Sequence, residues 1–375
     1  MRVTLINLWP RGGMAHYSAA LANALARQPD LQVCAVVPRQ PAAQGFAPAV
    51  TLAPVDVPTG NRPADLRRLP GQALRLPAYL RTIRATRPDI VHANLSTHPW
   101  ELATLPWLHA RWPLAVTQHE VGIKQGEGGW RKRWSVWAGP RYADHIFVHG
   151  TMLAEVLMAQ RGVPAIRISI IPMGTPAGFA AVDSPPPADP PTVLFFGRIK
   201  AYKGLDVLVQ AMPLVVAQAP NARFLVVGGE GDVTPYRQRP EAASAPVTWV
   251  NRFVDDHEVA DFFRQAAVVV LPYTDGSASS VISLAYGFAR PVVATRVASL
   301  PDAVVDGVTG LLVPPRDPAA LADALSALLR DRERGQRMGQ AAHAWAATHL
   351  AWDNIAARTV TVYHQLLASR RGTHP

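Results

Sequence analysis

Short apolar runs rich in β-branched residues alternate along this chain with longer stretches whose apolar positions recur at helical spacing. In the first half the runs fall at 3–8, 33–37, 90–93, 115–118 and 145–148, and the helical stretches at 16–28, 74–86, 130–138 and 152–160. In the second half the runs fall at 192–196, 223–227, 247–250, 268–271 and 292–294, with helical stretches at 205–217, 259–264, 281–289 and 319–330. Alternation of strand and helix predicts βαβ units and a parallel sheet in each half. Runs that are apolar throughout, such as 224–227 and 267–271, suit parallel strands covered on both faces. Between the halves, residues 182–191 read Val-Asp-Ser-Pro-Pro-Pro-Ala-Asp-Pro-Pro. Proline at that density excludes a helix interior or a central strand and predicts a semi-rigid linker. The expected architecture is therefore α/β: a doubly wound domain over 1–181, a linker over 182–191 and a second doubly wound domain from 192. Ligands of such domains bind beyond the carboxyl ends of the strands.

A length of 375 residues fits two domains, and 49% hydrophobic with 17% charged residues excludes a disordered chain. No apolar run approaches the roughly 18 residues of a membrane-spanning helix. Cys34 is the single cysteine, so no intrachain disulfide forms, which fits a reducing compartment. The N-terminal run is cut short at Pro10, before an apolar secretory segment could develop. The expected location is cytoplasmic. The net charge of +10 is unevenly placed: residues 1–180 hold 19 Lys/Arg against 9 Asp/Glu, whereas 181–375 are balanced at 18 each. A basic half attracts an anionic surface or a polyanion. Nucleic acid is the competing partner class, but no helix-turn-helix, zinc-ligand or RNP-type pattern accompanies the charge. A dinucleotide enzyme lacks its Gly-x-Gly-x-x-Gly after the first strand.

Four segments carry candidate chemistry. Trp9-Pro-Arg-Gly12-Gly13-Met-Ala-His16-Tyr17 follows the first strand and opens a helix, where glycines admit a close ligand and free amides face an anion. Phe195-Phe-Gly197-Arg198-Ile-Lys200-Ala-Tyr-Lys203-Gly204 places three cations between two glycines, with a helix following at once. Arg198 offers a fork of donors and Lys203 a point charge, which suits a diphosphate. Val226-Val-Gly228-Gly229-Glu-Gly231 is a glycine-rich turn after a strand, open to backbone approach. Leu271-Pro-Tyr-Thr-Asp275-Gly-Ser-Ala-Ser279-Ser280-Val281 ends a strand in a Gly/Ser loop and begins a helix, so Ser279, Ser280 and Val281 present helix-start amides. No metal-ligand cluster stands out.

The order of these segments, continued by Arg290-Pro-Val-Val-Ala-Thr and Asp306-Gly-Val-Thr-Gly310-Leu-Leu-Val, resembles the retaining glycosyltransferases of family 4, which have the GT-B fold. The resemblance covers nearly the whole chain. It implies two Rossmann-like domains, the second spanning 192–350, with a last helix at about 351–375 crossing back to the first. It implies transfer of a hexose from a nucleotide-diphosphate sugar without a metal or cofactor. Gly12, Gly13, Arg198, Lys203, Ser279, Ser280 and Val281 would then hold the donor diphosphate, and Gly228, Gly229, Arg252, Phe253 and Val254 the nucleotide. His119, in Val116-Thr-Gln-His119-Glu, matches the family histidine facing the anomeric carbon. His16, Tyr17, His92 and Asn94 would lie on the acceptor side.

One feature departs from the family. Its two glutamates eight apart correspond to Gly276 and Leu284, and Asp275 is the only nearby acid, so Asp275 is the candidate to replace them. A GT-B nucleotide-sugar epimerase and an inactive homologue remain alternatives. The first domain handles the acceptor in such enzymes. Arg62, Arg67, Arg68, Arg75, Arg81, Arg84 and Arg87 lie among Leu66, Leu69, Leu74, Leu76, Leu80 and Ile83, and Trp130-Arg-Lys-Arg-Trp134 with Trp137 adds a second cationic, aromatic patch. Basic amphipathic surfaces with tryptophan suit a membrane interface. The expected acceptor is a glycan or lipid-linked glycan, such as a polyprenyl-diphosphate-linked one, met at the inner membrane face during cell-surface polysaccharide synthesis.

Overall fold

The computed structural model describes residues 1–9, 12–39, 45–57, 75–123, 129–175, 189–276 and 278–371. Most of the proline-rich segment 182–191 lies outside these residues. The first half forms strands β1 (Arg2–Ile6), β2 (Gln32–Pro38), β3 (Thr51–Val55), β4 (Ile90–Asn94), β5 (Leu114–Thr117), β6 (His145–Val148) and β7 (Ile168–Ile170). Between them run helices α1 (Gly13–Ala26), α2 (Leu76–Ala85), α3 (Pro99–Arg111), α4 (Trp130–Tyr142) and α5 (Thr151–Arg161). The second half forms β8 (Thr192–Phe196), β9 (Arg223–Val227), β10 (Val247–Val250), β11 (Ala266–Leu271), β12 (Val292–Thr295) and β13 (Gly310–Val313). Its helices are α6 (Leu205–Gln218), α7 (Thr234–Arg237), α8 (Pro240–Ala243), α9 (Asp256–Gln265), α10 (Ser280–Gly287), α11 (Leu300–Ala303), α12 (Pro318–Arg330), α13 (Arg332–His349) and α14 (Trp352–Arg371).

The strands make two sheets, ordered β3-β2-β1-β4-β5-β6-β7 and β10-β9-β8-β11-β12-β13. Among the described residues every strand pairing is parallel. Each sheet carries one apolar cluster on either face, which accounts for the continuously apolar strands. In both sheets the winding reverses at the first strand, between β1 and β4 and between β8 and β11. A crevice opens beyond the carboxyl ends of the strands at such a reversal. The loops after β1, β8 and β11, which hold most of the candidate chemistry, all leave from there. Helix α14 packs on α1, burying Ile355, Ala356 and Tyr363 in the first sheet's core.

Several elements escaped the hydrophobic pattern. Helix α3 carries Pro99 at its start and Pro106 inside, a combination that usually marks a break. Strand β3 contains Pro54 and is tolerated because it is the edge of its sheet. Helix α13 is polar with two glycines, and Gly339 lets it approach Ala289 so closely that a Cβ would lie 2.1 Å from the Ala289 carbonyl oxygen. Helix α1 starts at Gly13, three residues before the predicted 16, because Gly12 is its N-cap.

Candidate active site

Lys203 sits in the 3-10 turn Ala201–Lys203 between β8 and α6. Its ammonium donates to the Tyr273 hydroxyl at 2.5 Å and lies 4.4 Å from the centroid of that ring. The Tyr273 hydroxyl is in turn 3.0 Å from Ser279 Oγ. Lys203 is only 7% exposed, so its cation is fixed on the floor formed by the loops after β8 and β11. These loops cross backbone to backbone: Gly204 has φ +66, and a Cβ there would lie 1.8 Å from the Pro272 carbonyl oxygen. Only glycine accepts both constraints, and Thr274 N–H closes the crossing by donating to the Tyr202 carbonyl at 2.8 Å.

Arg198 lies higher on the same loop, half-exposed, donating to the Tyr202 hydroxyl at 3.2 Å and standing 3.8 Å from the Glu230 carboxylate. Helix α10 begins beside Lys203, and Gly13 at the start of α1 faces it from the first domain. A Cβ on Gly13 would be 3.7 Å from Ser280 Oγ. Two helix N-termini and a buried lysine thus converge across the interdomain gap, an arrangement of positive potential that favours an anion.

On the first-domain side, His119 follows β5 and its Nδ1 is 2.9 Å from His149 Nε2. Lys132 of α4 pairs with Glu120. Burial, with a contribution from the positive charge of Arg198 across the gap, lowers the Lys132 ammonium to about 8. Lys132 thus joins the cations of the gap, although its sequence neighbours Trp130 and Trp134 suggest a surface patch. Further contacts bridge the domains. His16 Nε2 lies 3.2 Å from Asp256 Oδ1, Asp302 accepts from Thr151 N–H at 2.7 Å, and Ser283 Oγ donates to the Met173 carbonyl at 2.8 Å.

Other predicted residues have different surroundings. His92 and Asn94, expected on the acceptor side, are wholly interior. Both His92 nitrogens are engaged, Nδ1 by the Tyr363 hydroxyl at 2.5 Å and Nε2 by Thr117 Oγ1 at 2.7 Å, and Asn94 donates to Ser18 Oγ at 2.8 Å. These contacts tie the central strand β4 to α14 and α1. Tyr17 is 3% exposed and packs edge-on to His119 and His149, so it walls the histidines rather than facing an acceptor. Gly228 and Gly229 serve internal packing. A Cβ on Gly228 would lie 1.7 Å from the Gly197 carbonyl oxygen, and one on Gly229 would lie 2.9 Å from Phe253 N. Arg252 donates to both carboxylate oxygens of Glu258 and, like Phe253, is exposed, whereas Val254 is a core residue. The Val281 amide already donates to Ser279 Oγ, at a long 3.4 Å, and Asp275 Oδ1 accepts from Gly276 N–H at 2.7 Å.

The basic patch also divides. Arg62, Arg67, Arg68, Leu66, Leu69 and Leu74 lie outside the described residues. In α2, Tyr79 and Ile83 are core, with Leu76 and Leu80 partly buried against it, so the apolar positions of this helix pack on the first domain. On α4, Trp130, Trp134 and Trp137 are 61%, 46% and 42% exposed, and their spacing places them on one face. Among the described residues, no helix is long and apolar enough to cross a membrane and no cluster of three or more His, Cys, Asp or Glu could hold a metal.

Known proteins share both halves. Residues 11–178 match the family described as Glycosyltransferase Family 4, and residues 190–331 match Glycosyl transferases group 1. The chain is 30% identical to a D-inositol 3-phosphate glycosyltransferase of Xylanimonas cellulosilytica, over 96% of this chain and 93% of that protein. It belongs to glycosyltransferase family 4. The glycosyltransferase has a GT-B arrangement of two parallel-sheet domains. It superimposes on sucrose-phosphate synthase from Thermosynechococcus elongatus with a TM-score of 0.77 at 23% identity, covering 98% and 99% of the two chains. Anabaena HepE, solved in complex with UDP-glucose, gives 0.71 at 16% identity, covering 97% and 100%. Leu284, expected from the sequence to stand at the place of one family glutamate, is 8% exposed within the second domain's core.

Proposed function

We propose that this glycosyltransferase moves a hexosyl group from a nucleotide-diphosphate sugar to an acceptor hydroxyl with retention of configuration, using neither a metal nor a cofactor. The carrying observation is the convergence of Lys203 with the starts of α1 and α10 on one point of the gap. Charge developing on the departing diphosphate is met there by fixed dipoles and a fixed cation, which is the role a metal would otherwise take. Arg198 closes over the diphosphate from the Tyr202 side, and Lys132 adds a cation from the first domain. The acceptor oxygen attacks the anomeric carbon on the face from which the diphosphate leaves. The new C–O bond forms as the old one breaks, and the hydroxyl proton passes to the departing phosphate oxygen. His119 hydrogen-bonds a hydroxyl of the sugar or acceptor, and Asp275 stands in for the missing glutamates.

The proposed acceptor is a glycan or lipid-linked glycan reached at the cytoplasmic membrane face in cell-surface polysaccharide synthesis. Its support is the exposed tryptophan face of α4 with Arg131 and Arg133 beside it. A small phosphorylated polyol is the second reading, favoured by the name of the inositol-phosphate relative and by Lys132 beside Arg198. A thermal-shift series with UDP-, GDP- and ADP-sugars tests the donor site, because a ligand of the folded state raises the melting temperature. One nucleotide series should stabilise the protein, and a flat response to all three refutes the reading. Sedimentation with anionic vesicles then separates the acceptors: a lipid-linked one requires binding that neutral vesicles do not give.

A further inference from the structure

We propose that His149 is a positioning residue that fixes the tautomer and orientation of His119; the inference rests on the reading of His119 as a residue of the active site. The geometry runs through three adjacent strands. His149 follows β6, His119 lies just beyond β5, and Ile171 follows β7. The Ile171 carbonyl can only accept, so His149 Nδ1, 3.1 Å from it, carries a hydrogen. His149 is 4% exposed, and burial pulls its imidazole down to about 4, so the ring is neutral at physiological pH. A neutral ring protonated on Nδ1 has its lone pair on Nε2. That lone pair faces His119 Nδ1 at 2.9 Å, so His119 Nδ1 is the donor.

The consequence for His119 is specific. In its neutral form His119, with the hydrogen on Nδ1, has its acceptor on Nε2. In that form it receives a hydrogen bond from a substrate hydroxyl and does not donate one to the diphosphate. Tyr17 holds the pair in place: its ring is edge-on to His119 at 5.0 Å and to His149 at 5.1 Å. The two imidazoles are tilted by 32° with centroids 4.9 Å apart. A carbonyl thus sets one ring, and that ring sets the next, as outer partners do for metal-bound histidines.

The test uses the full chain labelled with nitrogen-15 histidine, the His119 signals being assigned by their loss in His119→Asn. The proposal expects His119 in the Nδ1–H form in the wild type and in His149→Gln, whose amide oxygen can accept from His119. It expects a mixed or inverted tautomer in His149→Leu. With UDP-glucose as the probe, turnover should fall on the order of tenfold or more in His149→Leu and recover in His149→Gln, with KM little changed. An Nε2–H tautomer in the wild type, or one unchanged in His149→Leu, overturns the positioning role. Full turnover in His119→Asn refutes the site reading separately, because the nitrogen spectrum still reports the tautomer.

Discussion

Replacing Lys203 by Met separates the electrostatic role of this side chain from its packing. The aliphatic stem, buried at 7% exposure, is largely kept, and what goes is the ammonium 2.5 Å from the Tyr273 hydroxyl. A diphosphate oxygen about 4 Å from that ammonium gains about 4 kcal/mol at an effective dielectric of about 20. At about 1.4 kcal/mol per factor of ten, kcat/KM should fall about a thousandfold. Part of the loss appears in KM, because the donor ground state already carries charge, and the rest in kcat. Stability should change by about 1 kcal/mol, the scale of a lost cation–π contact. The assay is release of nucleoside diphosphate from the stabilising nucleotide sugar, run beside a melting curve. A variant that melts normally and retains kcat/KM within a few-fold refutes the placement of the diphosphate at Lys203.

Three further outcomes follow from other parts of the chain. Glu101 accepts from Ser96 N–H at 2.8 Å and from the Ser96 hydroxyl, yet burial pushes its carboxyl up to about 8. The folded state then holds a proton that the unfolded chain has released above its ordinary value. Stability falls as pH rises towards about 8, with a limiting slope of about 1.4 kcal/mol per pH unit. Glu101→Gln should flatten that slope in denaturant titrations above the ordinary histidine range, where the opposing contributions of His92, His145 and His149 are complete. Asp302→Ala removes the interdomain cap on Thr151 N–H. It should cost about 1 kcal/mol and raise the radius of gyration measured by small-angle scattering. Gly228→Ala places a Cβ against the Gly197 carbonyl oxygen. An overpacked site of this kind costs about 1–3 kcal/mol, so the variant should melt several degrees lower and lose donor-induced stabilisation as the Gly197 loop shifts.

How much of the molecule was legible depended on whether the cause was local. Strands β8, β9 and β11 could be read because a strand covered on both faces must be apolar throughout. The loop from Gly197 to Gly204 reads as a candidate anion site because cations, glycines and a helix start are adjacent in sequence. His92 could not be placed, because its partners Thr117 and Tyr363 come from a neighbouring strand and the C-terminal helix. The pairing of Arg252 with Glu258 could not be read either, because it depends on how the loop before α9 folds back on that helix. Leu76, Leu80 and Ile83 read as part of a membrane face, but a period of apolar residues does not say whether lipid or the protein's own core covers it.

The amino-acid sequence by itself determined two doubly wound domains, the family and the loop that carries Lys203. In each case the signal is a periodicity or a run of neighbouring residues, and such signals survive without a third dimension. Tertiary structure alone decided that α1 and α10 start opposite one another, that Lys132 joins Arg198 across the gap, and that Ile171, His149 and His119 form a chain. Those contacts join residues from different strands or domains, and only the folding of both sheets brings them within hydrogen-bond or Coulomb range.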